Sequence, residues 1–155
     1  MSNPVSYQVL AALRTRLQAI SPAAGYNTDA GDRVYLGRRR INPDQLDIGP
    51  SINLYDTEDE VEEETAHGYE SVRSTLRINV DAYIRDVDGE GTELAHLVIQ
   101  DIFNAALDVT DQTLSDVALD LGYAGRTIEY PDVGGDTIAL SMEFTSLIDL
   151  PYGNI

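Results

Sequence analysis

The sequence predicts an α+β fold, a mostly antiparallel sheet with two helices packed on one face, in a single domain over residues 1–155. Three observations carry that expectation. Apolar residues recur at helical spacing near the N-terminus and again after Thr92, apolar residues recur with period two over Val72 to Arg85 and over Ile138 to Phe144, and turn-forming residues separate these runs. A chain of 155 residues can bury a core as one domain, and no internal repeat or shift of composition divides it.

Asn3 followed by Pro4 reads as an N-cap with proline at the first helical position, and Leu10, Leu13, Leu17 and Ile20 then share one face of a helix over 4–20. Ser21-Pro22 stops it, and Gly25, Asn27, Asp29 and Gly31 make the next stretch a turn-rich connection. Val34 to Leu36 reads as a short strand that runs into Gly37, the triplet Arg38-Arg39-Arg40 and the turn residues Asn42-Pro43-Asp44. Ser51 to Tyr55 is a second strand. Beyond it, Asp56 to Glu64 holds seven acidic residues in nine positions, a density whose self-repulsion predicts a solvated, mobile loop.

Val72 to Arg85 is the clearest strand, with Val72, Leu76, Ile78, Val80, Ala82 and Ile84 on one side and Arg73, Thr75, Arg77, Asn79, Asp81 and Arg85 on the other. Its length suits a hairpin with the Ser51 strand. After the turn Asp86 to Gly89, Thr92 is placed to cap a second helix whose apolar face holds Leu94, Ala95, Val98, Ile99, Ile102, Phe103 and Ala106. Glu93, Gln100, Asp101, Asn104 and Asp108 are expected on its solvent side. Strands over Arg126 to Tyr130 and Thr137 to Leu150, joined through Pro131 to Asp136, close the chain as a hairpin.

Composition narrows the function classes. With 27 acidic residues against 10 basic ones the formal charge is −17, and the pI is about 4.1. Such a surface repels nucleic-acid phosphate. All ten basic residues are arginine, and cysteine is absent, which rules out disulfides, thiolate metal sites and cysteine nucleophiles. The N-terminus lacks the pattern of a secretory signal, and nothing in the chain approaches a membrane-spanning run, so no membrane association is expected.

Chemical motifs are sparse. Asp86, Asp88, Glu90 and Gly91 fit the first, third, fifth and sixth positions of a calcium loop, but Leu97 stands where the closing glutamate belongs. His67 and His96 are the only histidines, and neither has a partner at ligand spacing. No lysine, nucleophile elbow or phosphate-binding glycine loop is present. The expectation is a protein without cofactor or metal that is not an enzyme. Arg38, Arg39 and Arg40 form the single basic cluster. They either offset local charge or meet the acidic surface of a neighbouring subunit, and on the second alternative the candidate interface joins them to Asp56, Glu58, Asp59, Glu60, Glu62, Glu63 and Glu64 of another copy.

In their order along the chain, "LAALRTRLQAI", "GYNTDAGDRVYLGRRR", the strand "STLRINVDAYIR" leading into a helix, and "YPDVGGDTIALSMEFTSLIDLPYG" resemble the tail terminator (tail completion) proteins of long-tailed bacteriophages. The resemblance covers most of the chain. It implies a structural virion protein, assembled in the host cytoplasm, that forms a homo-hexameric ring on the head-proximal end of the tail tube. Such a ring would stop polymerisation of the tail tube protein and offer a surface to the neck or head-completion protein, while DNA passes through its channel without specific binding. A head–tail connector, a tail tube subunit or another minor tail protein would share much of the pattern, and a small acidic metal-binding or enzymatic domain is the rival from a different class.

Overall fold

The computed structural model describes residues 3–37, 49–62, 71–86, 89–108, 110–114 and 116–151. Helix α1 spans Val5–Gln18 and buries Val9, Leu13 and Leu17, a four-residue spacing that keeps them on one stripe. It starts one residue later than the sequence suggests: Pro4 is the capping residue, and the Asn3 side chain makes no capping bond. Two short 3-10 turns, Pro22–Ala24 and Ala30–Arg33, lead into the sheet.

Five strands form that sheet: β1 Val34–Leu36, β2 Ser51–Val61, β3 Ser71–Arg85, β4 Asp120–Glu129 and β5 Thr137–Pro151. Their spatial order is β1-β2-β3-β5-β4. β1 runs parallel to β2, while the β2–β3, β3–β5 and β5–β4 pairs are antiparallel. The sheet is therefore mixed, with one parallel pair at its edge. That pair arises because β1 and β2 are joined by a long connection rather than a tight hairpin turn.

Helix α2 spans Gly91–Ala106. Thr92 does not cap it; the Asp86 carboxylate accepts from the Gly91 N–H at 2.9 Å, so the acid just upstream supplies the capping oxygen. Buried residues of both helices, the even-numbered side chains Leu76 to Ile84 of β3, and Ile138, Leu140, Met142, Phe144 and Ile148 of β5 belong to one hydrophobic core. The period-two stripes predicted for β3 and β5 are thus the sheet's contribution to that core. Among the described residues, no helix is long and apolar enough to cross a membrane.

Two assignments differ from expectation. Asp56 to Val61 is not a loop: it continues β2, paired residue by residue with β3 up to Val61 opposite Ser74. The acidic side chains tolerate the strand because β3 presents Arg77, Thr75 and Ser74 alongside them, so cross-strand attraction replaces self-repulsion. Asp101, expected on the solvent side of α2, is 1 % exposed. It sits between the buried residues Val98, Ile102 and Ala105 on the inward stripe, where Asn27 and Thr28 supply its hydrogen bonds.

Candidate subunit interface

The arginine triplet Arg38, Arg39 and Arg40 and the acids Glu63 and Glu64 lie outside the described residues. The remaining predicted interface residues are placed together. Asp56, Glu58, Asp59 and Glu60 all lie on β2 and are exposed, and Glu62 follows directly after the strand. A bulge at Thr57, between Asp56 and Glu58, divides the acids between the two sides of the sheet.

On the polar side, Arg77 of β3 gathers three carboxylates. Its Nε lies 3.2 Å from Glu58 Oε1, its Nη2 lies 3.6 Å from Glu60 Oε2, and its Nη1 donates to Glu143 Oε1 at 2.9 Å. The hydrogen bond to Glu143, then the charges of Glu143 and Glu58, push the guanidinium's pKa above its ordinary value. Glu62 accepts a hydrogen bond from the Thr75 hydroxyl. Arg77 was legible as a residue of the polar face; its role as a hub was not, because that depends on β2 continuing past Tyr55.

On the core-bearing side, Asp56 stands opposite Ile78 and Asp59 opposite Leu76. Asp59 accepts from the Ser74 hydroxyl at 3.4 Å. Neither aspartate has an ion pair among the described residues. β1 pairs with β2 only at Ile52, Asn53 and Leu54. Among the described residues, then, the outer edge of β2 from Tyr55 onward has no strand beside it.

The opposite margin of the sheet is β4. Arg126 is exposed there and has no ion pair among the described residues. The ion pairs that are present engage Arg16, Arg33, Arg73, Arg77 and Arg85. Next to Arg126 on the same side, Tyr123 is 38 % exposed and meets Phe103 edge-to-face at a centroid distance of 5.3 Å. Phe103, Leu121 and Gly122, together with Arg16, Ala106 and Leu107, line a cavity of about 330 Å³ beside this margin. Sequence reasoning placed Phe103 in the core, but it is 41 % exposed.

No protein-family model matches the chain, and no curated protein matches its sequence. A solved structure does: a chain in the virion of a native gene transfer agent particle, with a TM-score of 0.57 and 13 % identity, covering 96 % of this chain and 99 % of that one. At that identity the likeness is one of fold, and it runs the length of both chains.

The remaining sequence motifs take structural roles or lie outside the description. Asp86 caps α2 and donates its own N–H to the Asp136 carbonyl at 2.6 Å, while Asp88 is outside the described residues. His96 is exposed on α2, and His67 lies outside the described residues. Among the described residues, no group of three or more histidines and carboxylates is arranged to hold a metal ion.

Proposed function

We propose that this chain is a non-enzymatic structural protein of a tailed-phage-like particle, acting as a tail terminator. In this reading the two helices form one layer over one side of the sheet, and six copies close into a ring on the head-proximal end of the tail tube. The ring halts addition of tail tube protein and presents its far surface to the neck or head-completion protein.

The observation that carries this reading is the end-to-end likeness of fold to a chain of a gene transfer agent virion. The order of sequence segments that resembles tail terminators points the same way. Exposed margins support assembly as the mode of action: among the described residues, β4 and the part of β2 from Tyr55 onward each leave a row of backbone N–H and C=O groups without a neighbouring strand, and such rows are the usual template for joining another chain. With a formal charge of −17, the inside of such a ring would repel DNA phosphate rather than grip it.

Tube growth in vitro tests the proposal. Tail tube protein from the same particle, polymerising in the presence of this chain, should give shorter tubes capped at one end. Tubes whose length is unaffected by equimolar chain would refute the terminator role.

A further inference from the structure

The geometry points to a specific subunit contact, which rests on the ring reading above: the outer edge of β2 in one copy adds to β4 of the next, with Arg126 set between Asp59 and Asp56 of its neighbour. The occupant of the β4 margin is thus a second copy of this chain.

Three observations converge on it. Among the described residues, β4 is a margin of the sheet, and β2 from Tyr55 onward has no strand on its outer side. The charges left over are complementary and lie on the same side of the sheet. Directly opposed residues in an antiparallel pair share a face; Arg126 opposes the buried Met142, while Asp56 and Asp59 oppose the buried Ile78 and Leu76. In a sheet continued from copy to copy, Arg126 and the two aspartates, none of them in an ion pair among the described residues, therefore emerge on one continuous face.

Symmetry then sets the direction, and the charges set the register. Successive antiparallel pairings from β2 through β3 and β5 make β2 and β4 run in opposite senses within one chain. Rotation about a ring axis preserves the sense of every strand along it, so β2 of one copy meets β4 of the next antiparallel; within one chain Leu121 rather than Arg126 is level with Asp59, so this pairing has the strands tilted across the ring as in a barrel. Placing Arg126 opposite Asp59 brings Gly125 opposite Glu60. The extra residue of the β4 bulge, between Tyr123 and Gly125, then sets Tyr123 opposite Val61. Val61 is 56 % exposed and Tyr123 is 38 % exposed, so the register covers two apolar side chains that the isolated chain leaves in water. Asp56 falls diagonally across from Arg126. The joint is head-to-tail, with different surfaces on its two sides, and closes only as a ring.

The test uses the full chain, free and on tube ends purified from the same particle. Arg126→Glu should remain folded by circular dichroism and raise the concentration needed for half-assembly on the order of tenfold or more, since like charges across an interface are strongly unfavourable. Arg126→Glu combined with Asp59→Arg should restore assembly. Because the chain has no cysteine, Asp59→Cys with Arg126→Cys gives a background-free second readout that does not depend on a charge reversal. Within one chain the two positions are three strands apart, roughly 14 Å, and also about five residues out of level along the strands, well beyond disulfide reach. Oxidation with diamide should therefore produce a ladder of linked copies. If the parent assembles but Arg126→Glu assembles equally well, or the cysteine pair yields only monomer, the edge pairing is wrong while the ring survives. If the parent forms no assembly even on tube ends, both fall.

Discussion

The Asp101 carboxylate on α2 accepts two hydrogen bonds from Thr28, one from its backbone N–H and one from its hydroxyl, each 2.8 Å long and spanning 73 positions of sequence. Its second oxygen accepts from the Asn27 N–H and side-chain amide, both at 3.0 Å. A fully satisfied buried carboxylate thus fixes the connection after α1 against the second helix.

Asp101→Ala should destabilise the fold by about 2–4 kcal/mol, because it removes charge-assisted bonds and strands the buried Thr28 donors. Chemical denaturation checks it. A loss under about 0.5 kcal/mol, the size typical of neutral surface changes, would mean that the connection is held by other contacts.

Gly31→Ala should be destabilising by about 1–3 kcal/mol, the range for forcing an added methyl into packed structure. A Cβ at this position would meet the Ile20 carbonyl oxygen and lie 2.6 Å from that of Gln18, and backbone cannot swing aside as a side chain does. The Gly31 N–H bonds the same Ile20 carbonyl at 3.1 Å, which is why the approach is close. A thermal melt of the variant that matches the parent would contradict this.

Sequence made the helices and the long strands β3 and β5 legible, because each rests on periodicity that burial then enforces; β4, read only from Arg126, begins six residues earlier at Asp120, where glycines interrupt the alternation. It misplaced Asp101 and the β2 acids for a common reason: local polarity was read as solvent exposure. Asp101 lies three residues after Val98 and four before Ala105, so helical spacing alone puts it on the inward stripe. Asp56 to Val61 is a strand whose partner carries Arg77, and pairing across a sheet is not visible in a one-dimensional charge count. Arg126 gave no signal at all, since its significance depends on its place on a margin strand, on the same side of the sheet as Asp56 and Asp59.

Alkaline pH should weaken the fold through Tyr55. Its hydroxyl donates to Asp81 Oδ2 at 2.8 Å. Burial, then the hydrogen bond and charge of Asp81, push its pKa from 10.0 up to about 12. The unfolded chain ionises first, so this stabilisation is complete below pH 10.0 and is lost as pH rises through about 12. Tyr55→Phe should show a shallower loss of stability over that interval. Tyr83, raised in the same direction by burial and by Asp81, contributes the remainder. Parent and variant curves of equal slope would contradict the assignment.

Duplex DNA should not bind measurably at physiological salt. Non-specific affinity comes from cations that displace phosphate counterions, and here ten arginines face 27 carboxylates, with Arg16, Arg33, Arg73, Arg77 and Arg85 in ion pairs among the described residues. Saturable micromolar binding in a fluorescence anisotropy titration would contradict a channel that lets DNA slide.

Assembly is the central claim, and electron microscopy of tail tubes incubated with the chain tests it most directly. One six-fold ring of this chain is expected at a single end of each tube, with the copies joined through their sheet margins. Tubes bare at both ends, or decorated along their length by single copies, would contradict it.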